Sequence, residues 1–318
     1  MFLERVHRRF CTAFSLLLLF AAAAAAAPAR IVSLSPVGTE ILFDLGQGDR
    51  IAGVTEFCDY PPEAKLKPKA GGFTEVNLES LVVMSADLLV LQDLHRQELA
   101  PKLDALGIPY YILSQESTED ICKGILELGE LCSVRERAEA RVAEIRSRLE
   151  TVASRLKDLP RPRVLLSVSR ELTLDYLETI YVAGPSGNFY NELIRMAGGV
   201  NAVEEGPSYV KISQEGVLEI DPEVILDLVG DQSYYHAPDA ADPDKVFSSE
   251  HLMAPWLRLS DVKAVREGRV RILRGTFLLR PGPRIPQIVE AFARCIHPEA
   301  LPEALPEALP EEKTPVAR

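Results

Sequence analysis

At 318 residues, with 47% hydrophobic and 26% charged side chains, the chain has a globular composition and enough length for two domains that each bury a core. Its formal net charge of −12 argues against nucleic acid and against an anionic membrane surface, because both are bound through clustered Lys and Arg.

Residues 1–29 read as an export signal. A basic start, "MFLERVHRRF", precedes the apolar run "CTAFSLLLLFAAAAAAA", which ends on "APA", and cleavage is expected just before Arg30. Cys11 lies before the apolar run rather than after it, which does not suit lipid attachment. The localisation expected is therefore periplasmic. Four cysteines remain beyond the signal, Cys58, Cys122, Cys132 and Cys295, and the sequence leaves their pairing open. A helix through Cys122 and Cys132 would hold them roughly 15 Å apart, beyond disulfide reach.

From Arg30 to Cys132 strands and helices alternate. "IVSLS" (31–35) and "IAGVT" (51–55) are short β-branched strands flanking the helical "VGTEILFDLG". "DYPPEA" makes a turn, since two prolines cannot lie in a central strand. A helix over 78–84, strand "LLVLQ" (88–92), a helix through Leu106 and Gly107, strand "YYIL" (110–113) and a helix over 118–131 follow. Residues 133–158 differ: Ala138, Val142, Ile145, Leu149, Val152 and Leu156 make one apolar stripe on a long, otherwise highly charged helix. A coiled coil would show the same stripe, but fewer than four heptads sit between two α/β segments, so a rigid connector between lobes is expected.

"LPRPR" ends that helix, and a second α/β segment runs over 159–296. It holds strands "VLLSV" (164–168), "IYVA" (180–183), "EVILDLV" (223–229) and "RVRIL" (269–273), the helical "GNFYNELIRMAGG", and a last helix to about Ile296. Residues 297–318 repeat Pro at every fourth place in an acidic, low-complexity tail expected to be disordered. The predicted class is α/β, with two lobes built on parallel sheets, bridged by one long α-helix, and a cleft between them suited to a small molecule.

The two lobes echo one another. "NLESLVVMSADLLVL" (77–91) and "SQEGVLEIDPEVILDL" (213–228) superpose with Glu79 over Glu215, a capping residue (Asn77 or Ser213) two places earlier, and a strand after the helix. A first-turn Glu is favoured by the helix dipole, which accounts for each position singly.

Catalytic signatures are missing: neither G-x-G-x-x-G, G-x-x-x-x-G-K-[ST] nor G-x-S-x-G occurs. His95, His236, His251 and His297 have no metal-pair spacing, so neither a protein-bound metal nor an enzyme is expected. Aromatics stand instead at strand ends and turns: Tyr60, Phe73, Tyr181, Tyr209 and Phe277. Five such positions predict a flat, largely apolar ligand held by stacking. Lys211, Arg280 and Arg284 near the same places would suit an anionic one.

"RIVSLSPVGTEILFDLGQGDRIAGVTEFCDYPPEA", "GGFTEVNLESLVVMSADLLVLQD", the long central helix and "RPGPRI" together resemble the periplasmic binding proteins of ABC importers for cobalamin, haem and iron-siderophore complexes, most of all the cobalamin-binding branch. The resemblance spans Arg30 to Cys295 and implies two Rossmann-like lobes bridged by one helix, with little domain closure. It implies that Tyr60 contacts a corrin, that Phe73, Tyr181 and Tyr209 stand where the cobalamin protein has Trp, Phe and Trp, and that Glu79 and Glu215 pair with arginines of a permease dimer. Met196 stands in place of one cysteine of that protein's disulfide. The expectation is a monomeric substrate-binding protein that hands cobalamin, or alternatively haem or a ferric siderophore, to an ABC importer. An exported enzyme or chelatase is the rival class.

Overall fold

The computed structural model describes residues 27–72, 76–230 and 248–301. Phe73, His236, the body of the predicted export signal and the acidic tail beyond Leu301 lie outside the described residues. Among the described residues no helix is long and apolar enough to cross a membrane.

The first sheet holds β1 (Ile31–Ser33), β2 (Ile51–Val54), β3 (Leu88–Gln92) and β4 (Tyr110–Leu113), all parallel in the order β2-β1-β3-β4. The helices are α1 (Pro36–Asp44), α2 (Leu78–Met84), α3 (Ala100–Leu106) and α4 (Thr118–Leu131). Every residue of β3 is buried, as expected of a parallel strand covered on both faces. Its alternation decides two cores: Leu89 and Leu91 join Leu81 and Leu103 on one side, while Leu88 and Val90 join Ile31 and Ile41 on the other. Ser35 starts α1 by accepting a hydrogen bond from the Gly38 N–H at 3.0 Å, with Pro36 preset at the first helical position.

The connector is α5 (Arg135–Leu156), shorter at both ends than the 133–158 expected; at its start Ser133, at φ 58°, separates it from α4. It runs roughly 33 Å. Ala138, Val142, Ile145, Val152 and Leu156 are buried along the predicted stripe, packing against α4 of the first lobe and against helices α6 (Phe189–Met196) and α10 (Ile285–Ile296) of the second. Its charged side is clipped down too, by Arg148 to both carboxylate oxygens of Glu290 (2.8 and 3.1 Å) and by Arg141 to Asp44 at 2.8 Å.

The second sheet holds β5 (Arg163–Arg170), β6 (Ile180–Ala183), β8 (Tyr209–Ile212), β9 (Val224–Val229) and β10 (Val270–Arg274) in the order β10-β9-β5-β6-β8, with the short β7 (Val200–Asn201) beside β5. Helices α7 (Gln214–Ile220), α8 (Ser249–Leu257) and α9 (Lys263–Arg266) complete the lobe. The sheet is mixed rather than all parallel. Strands β5, β9 and β10 are parallel, but β6 runs antiparallel to β5, and β8 runs antiparallel to β6. The reason lies in "GPSYVKI", which reads as loop because Gly206 and Pro207 mask a four-residue strand of alternating exposure. Gly184 is needed where this edge closes: a Cβ there would lie 1.8 Å from the Pro207 carbonyl oxygen, while the Gly184 N–H donates to Ser208 at 2.9 Å.

Residues 297–301, expected to begin the tail, pack on the core instead. Leu301 is buried with the main cluster, and the buried His297 ring lies 3.1 Å from the Gly198 carbonyl. That cluster runs unbroken from Ile31 and Ile41 through α5 to Leu166 and Phe292, so both lobes share one core. Denaturant unfolding is therefore predicted to be a single transition by both fluorescence and circular dichroism, with Ile145→Ala lowering stability by about 2–5 kcal/mol without splitting it. Two separated transitions would mean that α5 does not couple the lobes.

Candidate functional site

Four charged side chains join the lobes beside the predicted ligand turn. Arg284, just before α10, makes a two-pronged ion pair with Glu40 of α1: Nε to Oε2 at 2.9 Å and Nη2 to Oε1 at 2.6 Å, both residues buried. Arg280 pairs with Asp59 in the turn after β2. The Arg284 guanidinium also lies 3.8 Å over the Tyr60 ring and 5.4 Å from the Phe277 ring, a cation–π sandwich that holds Tyr60 from behind. Burial pushes the Glu40 carboxyl above the ordinary glutamate range, a shift that Arg284 and Arg280 oppose. The native state thus binds a proton before the unfolded chain does, so this group's contribution to stability rises as pH falls through that window.

The aromatics divide. Tyr60, Tyr181 and Tyr209 are 40, 44 and 44% exposed, whereas Phe277, expected to face ligand, is only 8% exposed and belongs to the core. Phe277 sits in the 3-10 turn Thr276–Leu279 after β10, where it backs Arg284. Contacts run on to the other lobe edge: the Tyr190 hydroxyl donates to the Leu278 carbonyl at 3.2 Å, and its ring meets that of Tyr209 edge-on at 6.5 Å. Register places Tyr181 opposite Lys211 and Tyr209 opposite Ala183, so the two tyrosines lie diagonally on one exposed sheet face, roughly 7–8 Å apart. Tyr190 and Glu40 were not singled out in the sequence, because each sits on the buried face of an amphipathic helix and reads as core.

Arg280 and Arg284, which could have met an anion, are both neutralised by carboxylates of the first lobe. Lys211 is exposed and makes no ion pair among the described residues. Described histidines are turned elsewhere: His95 is buried with Nδ1 accepting from the Gln92 N–H, and His251 meets the Leu172 carbonyl. Among the described residues no group of three His, Cys, Asp or Glu is placed to hold a metal. Cys58, Cys122, Cys132 and Cys295 are free thiols, the first three buried. Burial raises all four, Cys295 to about 11. A pocket of about 620 Å3 opens behind Tyr60 between α1, α5 and the start of α10. Its wall mixes Asp44, Glu63, Lys67 and Arg137 and includes neither Tyr181 nor Tyr209, so it is a polar side pocket that does not bring the three tyrosines together.

The paired glutamates stand on matched helices. Both α2 and α7 have seven residues, carry their Glu at the second helical position, and end on a non-glycine residue in the left-handed region, Ser85 at φ 50° and Asp221 at φ 41°. Both Glu79 and Glu215 are exposed. The caps differ: the Asn77 side chain accepts from the Ser80 N–H at 3.0 Å, but Ser213 instead donates its hydroxyl to Glu215 at 2.6 Å and lowers that carboxyl.

A parallel first sheet, a mixed second one and a helical bridge packed on both define a two-lobed α/β protein. Residues 31–276 match the model of the periplasmic binding protein family, and the chain belongs to that family. The vitamin B12-binding protein of Vibrio vulnificus is 28% identical over 290 residues, covering 89% of this chain and 97% of that one. An uncharacterized ABC transporter substrate-binding lipoprotein of Bacillus subtilis is 27% identical over 279 residues, covering 86% and 81%. Among solved structures, a periplasmic haem-binding protein of Pseudomonas aeruginosa superposes with a TM-score of 0.68 at 25% identity, over 87% of this chain and 95% of that one.

Removing one partner of the buried pair should be costly. Arg284→Leu is predicted to lower stability by about 3–5 kcal/mol, and adding Glu40→Leu to recover most of that loss, because the stranded carboxylate is what destabilises. Urea denaturation of the wild type, both single variants and the double checks it; a loss in the double variant equal to the sum of the two single losses would show that the pair is not coupled.

Proposed function

We propose that this is the exported substrate-binding component of an ABC importer, and that it captures a corrinoid of the cobalamin type in the cleft between its lobes. The observation that carries the ligand choice is charge: Arg280 and Arg284, beside the Tyr60 turn, are neutralised by Asp59 and Glu40. A large ligand without net negative charge is held there by stacking and buried area, Tyr60 from one lobe and Tyr181 and Tyr209 from the other. Phe73, by its place in the sequence, joins Tyr60. The vitamin B12-binding relative of matching length supports the same choice.

Glu79 and Glu215 dock the loaded protein on a permease dimer, one on each lobe, and residues 1–29 direct export. No chemistry on the ligand is part of this reading, and the protein acts as a monomer. Haem is the second reading, favoured by one feature: Lys211 lies exposed opposite Tyr181 and could meet a propionate.

Residues 30–318 titrated with cobalamin, cobinamide, haem and a ferric siderophore, followed by absorbance and heat, should show saturable binding of a corrinoid. Tyr60→Ala and Tyr209→Ala are each expected to weaken it by about 1.5 kcal/mol, roughly tenfold. Saturable haem or siderophore binding with neither corrinoid bound would overturn the ligand choice, and turnover of any ligand would overturn the transport reading.

A further inference from the structure

The face that carries each glutamate has a second property. On α2 the apolar residues packed against the lobe are Leu78, Leu81 and Met84, and Glu79, Val82 and Val83 are exposed on the outward side. Val83 at 81% and Val82 at 58% exposure are, with Leu66, the three most exposed large apolar residues described. On α7 the buried residue is Val217, and Glu215, Leu218 and Glu219 face out, Leu218 being 42% exposed. An apolar side chain thus stands three residues after the glutamate on both helices. Neither burial nor local preference accounts for it on α2, since β-branched valine is a poor helix former and two of them in a seven-residue helix weaken it.

We infer that Val82 and Leu218 form the apolar half of each docking contact: every Glu meets a cation of the permease while the side chain one turn on enters an apolar socket beside it. This rests on the docking role proposed for Glu79 and Glu215. The occupant it requires is a two-fold permease presenting the same cation and socket twice, because the acidic and apolar groups recur at the same helical positions on both lobes. Surface charge alone adds little at physiological salt, and apolar burial next to it supplies the affinity that exposed ion pairs lack. The match is not perfect: Val83 on α2 is replaced by Glu219 on α7, so the α2 contact is the more apolar of the two.

The test compares Val82→Ser with Leu218→Ser against Glu79→Arg with Glu215→Arg, using the cognate permease–ATPase complex in nanodiscs. The Ser pair should bind the complex at least tenfold more weakly while its cobalamin affinity and unfolding midpoint stay at wild-type values, and Val82→Ser with Val83→Ser should lose more than Leu218→Ser alone. If the Arg pair abolishes docking but the Ser pair stays within twofold, this inference falls and the docking role stands. If neither pair changes docking, both fall together. A wild-type dimer in sedimentation that the Ser pair dissolves would assign the apolar faces to self-association and overturn the inference.

Discussion

The Glu40–Arg284 pair is the contact on which the joint between the lobes beside Tyr60 depends. It crosses from α1 of the first lobe to the head of α10 in the second, with both charges buried, and its guanidinium is the platform behind Tyr60. A buried ion pair of this kind adds little net stability over an apolar substitute, but it penalises every arrangement in which its two halves separate. Lobe geometry and the placement of the Tyr60 ring are therefore coupled through this interaction. The second pair, Arg280 with Asp59, acts at the adjoining turn in the same sense. Together they make Arg280 and Arg284 structural cations that tie the second lobe to the first.

The bridge makes this arrangement rigid. Helix α5 is not a tether between independent domains, because its apolar stripe lies inside a core cluster that includes residues of both sheets. Opening the cleft by a large hinge motion would expose that stripe, at a cost set by its buried area. On the proposed transport reading, recognition of a permease would fall to fixed surface features, and the matched faces of α2 and α7 are where exposed acidic and apolar groups coincide.

Much of this was legible in the sequence because periodicity reports burial. The helix over 78–84, β3 over 88–92, the α5 stripe and the duplicated Glu79 and Glu215 units stand where the pattern put them, since each depends on local spacing and capping. Misses share a physical cause, in that partners distant in sequence decide them. Strand β8 exists because β6 pairs with it across an intervening helix, which no local pattern records. Arg284 looked like an anion site until Glu40, 244 residues away, proved to be its partner. Phe277 shares the composition of a loop aromatic yet is buried, because the 3-10 turn rolls it under the guanidinium. Ser213 occupies a capping position but spends its hydroxyl on Glu215.

The proposal that the ligand is held by stacking rather than by ion pairing is tested most directly by the salt dependence of cobalamin affinity. Between about 50 and 500 mM NaCl, where screening shrinks from about 14 to about 4 Å, the dissociation constant is predicted to change by less than about twofold. A loss of tenfold or more over that range, or no saturable cobalamin binding at any salt, would contradict it.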